Sequence, residues 1–382
     1  MSLCYTRLTG EAIERALDGW GTPQPGAGVV ALLPEAEKDR LPLLQAACRA
    51  RGLALAGGIF PALIRDESFP GEGAWLLPFA QMPPYRLIER ELPGGAPLAE
   101  RIVHAVGEGL ASCPEACGKP TLFLVFDSMM PDIASLLDEV YLEVANRVEY
   151  SGINAGSESF QPMPCLFDAE RLLGDAVLML LLPENRSPVL AHGFKGPAKA
   201  MSATSARGNR IAMIDWRPAF EVYQQIVSRE YGIALTPENF YEYGVHFPFG
   251  IQRAGGDVVV RIPVALANDG SLVCAGEIPE NAVLVLLKAP ALEDGCCVER
   301  LAADLRETRG FRADGPLLSF YCGGRRVHLG ADAERELAQL RRATGAGHVA
   351  GAVSLGEIGS TVRHGYPMFH NAALVCAPWG EP

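Results

Sequence analysis

The side chains able to do chemistry fall in three stretches far apart along a chain of 382 residues. Gly351–Asn371 (GAVSLGEIGSTVRHGYPMFHN) is an apolar run ending at Glu357, then a Gly/Ser/Pro loop that returns His364, Tyr366, His370 and Asn371 towards it. Leu190–Tyr223 places His192 after a short apolar run and before Gly193 and Phe194. A third run, Leu317–Tyr321, delivers Cys322-Gly323-Gly324-Arg325-Arg326. Titratable groups at strand ends, beside glycines that admit a ligand to the backbone, are what a small-molecule site requires. The plainer reading of the first stretch is a hairpin with an incidental acid and surface histidines. A neutral imidazole at His192 suits metal ligation, a hydrogen bond to a ligand or an ordinary loop position. Guanidinium groups at Arg325 and Arg326 suit a carboxylate or anion clamp, or equally an interdomain salt bridge. Cys322 with His370 and Glu357 has the ingredients of a thiolate nucleophile, its base and an orienting acid, a minority reading. No G-x-S-x-G, H-E-x-x-H or phosphate-binding loop accompanies them, so no enzyme is expected.

The elements that must position these groups alternate in type. Gly10–Trp20 reads as a helix, Val29–Leu33 as a buried strand, Leu43–Arg51 as a helix and Leu53–Phe60 as a strand broken by Gly57-Gly58, which is βαβ rhythm. The Gly57-Gly58 break lacks the order of a dinucleotide fingerprint. Gly73–Phe79 and Tyr85–Arg90 look like paired strands. Ala99–Cys113 and Ile133–Asn146 read as helices around the strand Thr121–Phe126. Gly152–Ser159 reads as a polar turn, and Ala176–Leu182 as a core strand. Ala200–Ala206 and Arg210–Ile214 form a hairpin about Gly208-Asn209, and Pro218 opens a helix. Val258–Pro263 and Leu272–Ala275 read as strands around Asn268-Asp269-Gly270, and Ala372–Cys376 as the partner of the strand carrying Glu357. The expected fold is α/β (mixed α+β), with two mixed-sheet domains and flanking helices over residues 1–205 and 206–382.

Composition narrows the function. The chain is 49% hydrophobic with a net charge of −12, which supplies a substantial core and disfavours nucleic acid or an anionic membrane as partner. The start lacks the basic and apolar regions of a signal peptide, and Ala176–Pro183 is far short of a membrane span. The ten cysteines are therefore expected as reduced thiols in a cytoplasmic protein. Cys113 and Cys117 approach metal-ligand spacing without a matching second pair.

In order and spacing, several stretches together resemble the FIST family of bacterial sensory proteins. They are Gly208-Asn209-Arg210-Ile211 with Ile214-Asp215 and Pro218-Ala219, Val260-Arg261 with Asp269-Gly270, Cys322 with Arg325, and Gly356-Glu357-Ile358 with Asn371. The resemblance implies a FIST N and a FIST C domain and a ligand-binding sensor. It also implies signalling to a separate kinase or cyclic-dinucleotide enzyme. One branch, the nitric-oxide sensors, binds haem b and is similar in carrying a histidine at the position of His192. By that likeness His192 is the expected iron ligand, with His370 as an alternative and Arg261, Arg325 or Arg326 as propionate partners. The other expectation is an amino-acid or small-carboxylate receptor, with Arg325 taking the carboxylate and Glu357 the ammonium. The expected ligand-contacting set is His192, Phe194, Arg261, Cys322, Arg325, Glu357, His370 and Asn371.

Overall fold

The computed structural model describes residues 3–379 apart from 113–117, 184–185, 187, 195–198, 254–257, 309 and 362–364. The Cys113–Cys117 pair and His364 lie outside the described residues. Most of the chain is one βαβ-based unit built three times. The first unit comprises β1 (Cys4–Thr6), α1 (Gly10–Asp18), β2 (Gly28–Pro34), α2 (Leu41–Ala50), β3 (Ala54–Phe60), β4 (Leu63–Arg65) and β5 (Ala74–Phe79). Thr9 starts α1 by accepting the Ala12 N–H at its hydroxyl (3.3 Å), the usual N-cap device. The second unit comprises β6 (Tyr85–Glu89), α3 (Leu98–Ser112), β7 (Thr121–Asp127), α4 (Ile133–Val144), β8 (Glu149–Ala155), β9 (Leu166–Asp168), β10 (Leu172–Leu173) and β11 (Ala176–Leu182).

The third unit opens with β12 (Val189–Ala191) and is then interrupted by a long insertion. The insertion holds β13 (Met201–Ser202), β14 (Ser205–Arg207), β15 (Arg210–Ile214), β16 (Arg217–Pro218), α5 (Ala219–Tyr231), α6 (Phe240–Gly244), β17 (Phe249–Gln252), β18 (Val258–Arg261), β19 (Pro263–Leu266), β20 (Leu272–Cys274) and β21 (Val283–Leu286). The unit resumes with α7 (Cys296–Arg306), β22 (Pro316–Cys322), α8 (Gly323–Leu329), α9 (Asp332–Thr344), β23 (His348–Ser354), β24 (Glu357–Gly359), β25 (Met368–His370) and β26 (Leu374–Pro378).

Each unit makes one sheet of the same order: β1-β5-β2-β3, β6-β11-β7-β8 and β12-β26-β22-β23. The central parallel pairs β2/β3, β7/β8 and β22/β23 run residue for residue over seven positions each. The strand after each third member crosses to the next sheet. β4 adds to β23, β9 to β3 and β24 to β8, all antiparallel. The three sheets are thus laced together cyclically, and the sheets are not confined to either half of the chain. The third and fifth residues of the central strands (Val30, Leu32; Phe123, Val125; Leu318, Phe320) meet in one apolar core. Helices cover the outer faces, α3 and α4 over β7 and α7 and α9 over β22.

A glycine recurs at the fourth position of the third strand in every unit: Gly57, Gly152 and Gly351. At each, a Cβ would run into the carbonyl oxygen of the fourth residue of the neighbouring parallel strand, Ala31, Leu124 or Ser319. The threefold repetition of this steric demand explains why the sequence places glycine there. The insertion folds into two smaller antiparallel sheets, β13-β21-β17-β18 and β14-β15-β20-β19, with its own apolar cluster around Tyr223, Phe240 and Phe249.

The mixed α/β class is as the sequence indicates; four local expectations are corrected. Gly73–Phe79 and Tyr85–Arg90 are not partners, because β5 pairs with β1 and β2 while β6 pairs with β11. Gly152 lies inside buried β8 rather than in a turn. The Val258–Pro263 run breaks at Ile262, so that β18 and β19 join different sheets. Ala372–Cys376 enters β26 and pairs with β12 and β22, whereas Glu357 lies in another sheet opposite His370. Pairing by sequence proximity fails wherever a strand crosses between units.

Candidate functional site

Where β23 ends, the chain turns through Leu355-Gly356 and begins β24 at Glu357. Gly356 is required here, since its φ is +155° and a Cβ would strike the Phe369 ring. By register Glu357 is the equivalent of Leu63 and Leu166, each facing the fifth residue of the strand it crosses to. Two units put leucine at this buried position and the third puts a carboxyl group there. Glu357 is 0% exposed. Its Oε1 accepts from the Ser354 hydroxyl (2.6 Å) and its Oε2 from the Ala373 N–H (3.2 Å). Burial pushes its pKa up to about 8, and the bonds from Ser354, Ala373 and the Cys322 thiol pull it back only in part.

Cys322 is the last residue of β22. Its Sγ accepts the Ala372 N–H (3.1 Å), and burial followed by the neighbouring Glu357 raises the thiol above its ordinary range. This thiol is held protonated, with no hydrogen bond to a histidine among the described residues. Asn371 accepts the Ile262 N–H at Oδ1 (3.1 Å) and donates from Nδ2 to the His370 carbonyl (3.2 Å), fastening the insertion to the third unit. Opposite Glu357 on β25, His370 is also 0% exposed, and neither ring nitrogen has a partner in hydrogen-bonding geometry. Burial, then the adjacent His192, Arg261 and Arg253, drive its pKa well down, so the ring is neutral. The His192 ring centroid lies 5.8 Å from that of His370. His192 accepts the Phe194 N–H at Nδ1 (3.0 Å), which places any proton of the neutral ring on Nε2. Phe194 packs with Val245, Val258, Val260 and Ile262.

Arg325 is committed to protein groups, and Arg261 is committed through two of its three nitrogens. Arg325 forks onto Glu336 from Nε (2.7 Å) and Nη2 (2.5 Å) and donates from Nη1 to the His192 (2.8 Å) and Ala372 (3.2 Å) carbonyls. Tyr321 donates its hydroxyl to the same Glu336. Arg261 donates from Nε to the Glu277 carbonyl (2.9 Å) and from Nη1 to the Val260 (3.1 Å) and Phe369 (2.7 Å) carbonyls. Burial lowers its pKa to about 10.

A cleft of about 240 Å³ opens over this network. Cys322, Gly323, Gly324 and Asn371 line it, together with Leu355 and Val327 of the third unit, Glu158 and Phe160 of the second, and Tyr241, Val245, Ile262 and Val264 of the insertion. Among the described residues its one charged lining residue, Glu158, pairs with Arg326 (3.2 Å). The structure therefore gathers Cys322, Glu357, His370, Asn371, His192 and Arg325 into one neighbourhood, but only Cys322 and Asn371 of these face the cleft. Arg261 lines a second cleft on the other side of β18. The sequence reading missed Ser354, Glu336 and the apolar walls. Glu336 had a signal of its own, as an acid on the apolar stripe of α9 beside Ala333, Leu337 and Leu340.

These residues do not fit haem. The two candidate axial histidines are packed against each other, 8% and 0% exposed, and neither lines either cleft. Of the expected propionate partners, Arg325 spends its donors on Glu336 and backbone carbonyls and Arg326 pairs with Glu158, while Arg261 opens onto the second cleft, which neither histidine lines. The described residues contain no cluster of three His, Cys, Asp or Glu able to hold a metal ion. No described helix is long and apolar enough to cross a membrane.

A repeated α/β scaffold that encloses a small, mostly apolar cleft over a buried polar network has the architecture of a ligand-binding domain. Residues 32–217 match the FIST N domain and residues 219–360 the FIST C domain. The chain belongs to the FIST family and is a ligand-binding protein of the sensory type. No curated protein matches it.

Proposed function

We propose that the chain senses a small, predominantly apolar and uncharged molecule bound in the Cys322–Asn371 cleft, and relays its presence to a separate signalling enzyme, a kinase or a cyclic-dinucleotide enzyme. One observation carries this reading: the walls come from both matched domains, Glu158 and Phe160 from the first and Tyr241, Ile262 and Leu355 from the second. A ligand held between the insertion and the second and third units favours whichever arrangement of these elements binds it better, which is how binding becomes a signal. The walls offer apolar surface and a thiol, an amide and backbone groups, with no free charge. That composition favours neutral ligands over the amino-acid reading, since Arg325 and Glu357 both lie beneath the surface.

Thermal unfolding with a panel of neutral aromatic and aliphatic molecules tests it, using Val327→Trp to fill the cleft from an exposed position. Stabilisation by such molecules, weakened at least tenfold in affinity by the variant, is expected. A panel without effect, or a variant that binds equally well, refutes the cleft. A sharp Soret band on adding haemin that shifts with nitric oxide and is lost in His192→Ala would instead establish the haem-based nitric oxide sensor.

A further inference from the structure

On the opposite face of β18 lies a second cleft, of about 230 Å³, between α4 and the insertion. Its floor is apolar, formed by Leu137, Ile251, Val259 and Met368, and two guanidinium groups, Arg253 and Arg261, line it. Arg261 is 2% exposed, yet no carboxylate of the described residues lies within salt-bridge distance. Its Nε and Nη1 are used on three carbonyls, and Nη2 has no partner among the described residues. Arg253 is exposed and likewise forms no ion pair among them. An isolated buried cation is unfavourable without a counter-charge, and carbonyl dipoles neutralise only part of it.

The acids around the cleft form no ion pair with Arg261, although the lowering of its pKa by burial is partly offset by the Glu277 charge and its guanidinium carbon lies 5.3 Å from the Phe369 ring centroid. Glu277 accepts from the Ser135 N–H (3.0 Å) and hydroxyl (2.5 Å) at the start of α4. Asp138 accepts from the Tyr366 hydroxyl (2.7 Å). Glu280 lies on the lining without an ion pair to either arginine.

We propose that this second cleft binds a small organic anion, its charged oxygens on Arg253 and the free Nη2 of Arg261 and its apolar body on Leu137, Ile251 and Met368. Guanidinium groups recognise carboxylate and phosphate oxygens alike, so the head group is an oxyanion of either kind. This site is independent of the neutral-ligand cleft. It is nevertheless mechanically close to it, because Ile262, next to Arg261, lines the first cleft and is bonded to Asn371.

Calorimetric titration at low ionic strength with benzoate, phenyl phosphate and the uncharged benzamide tests the proposal. At least one of the two anions binds, benzamide does not, and the preferred anion identifies the head group as carboxylate or phosphate. Arg253→Gln, an exposed change that leaves the fold intact, weakens binding at least fivefold, and raising the salt concentration weakens it in the wild type. Val327→Trp leaves anion binding unchanged, which separates this result from the fate of the first cleft. The proposal is overturned if neither anion binds, if benzamide binds as well as they do, or if Arg253→Gln has no effect. Any of these would leave Arg261 as a staple between three backbone segments.

Discussion

Replacing Glu357 by glutamine should flatten the pH dependence of stability. Glu357 is fully buried, and its carboxyl titrates at about 8 in the folded chain against 4.5 as its ordinary value. A folded-state pKa above the unfolded one means that the native state holds a proton the unfolded state has released. The associated stability is complete below pH 4.5 and is lost as pH rises through 8. The slope across that window is about 1.4 kcal/mol per pH unit, so the whole loss is about 5 kcal/mol. The glutamine variant keeps a carbonyl for the Ser354 hydroxyl but sets an NH2 group against the Ala373 N–H. It is therefore less stable by a roughly constant amount at low pH, and gains on the wild type as pH increases. Urea unfolding of both proteins at half-unit intervals from pH 4 to pH 9 measures the difference, in which titrations common to both cancel. Parallel profiles would refute the reasoning, because they would mean that Glu357 is ionised at neutral pH and stabilised by its three donors.

Two further outcomes follow from the scaffold. Gly351→Ala should cost about 3 kcal/mol in urea unfolding, since its Cβ meets the Ser319 carbonyl and its φ is +153°, whereas Gly10→Ala, with open space around it, should cost nothing; equal effects would dismiss the close-approach argument. Glu336→Gln should lose roughly 3–5 kcal/mol by leaving the Arg325 guanidinium, 5% exposed, without its counter-charge; a double change of Arg325 and Glu336 to leucine should recover part of that loss, and a single variant as stable as the wild type would show that the backbone carbonyls suffice.

Much was legible in the residues alone. Apolar runs such as Thr121–Phe126 and Ala176–Leu182 are strands because nothing else buries so many consecutive large side chains in so short a span. The helices follow from apolar positions recurring at helical spacing, as at Ile13 and Leu17. The resemblance to the FIST family rested on short separated stretches whose order could be compared without knowing where they lie in space, and both domains match. The glycines at positions 57, 152 and 351 were visible too, but their shared role was not, because an internal repeat with so little residue identity declares itself only through pairing register.

The tertiary structure decided the rest. The return of His370 to Glu357 was legible as a local hairpin, but strands that cross from one unit to the next cannot be placed by proximity in sequence, so Ala372–Cys376 came to pair with β12 and β22 and not with the strand leading to Glu357. Arg325 looked available for a ligand until Glu336, eleven residues on and buried with it, took its fork. Cys322 and Asn371 are separated by almost fifty residues and meet at one cleft because β22 and the β25–β26 connection lie side by side. Residue type fixes what chemistry a group can do; whether it faces a ligand, a carbonyl or another buried ring depends on long-range packing, which no local pattern encodes.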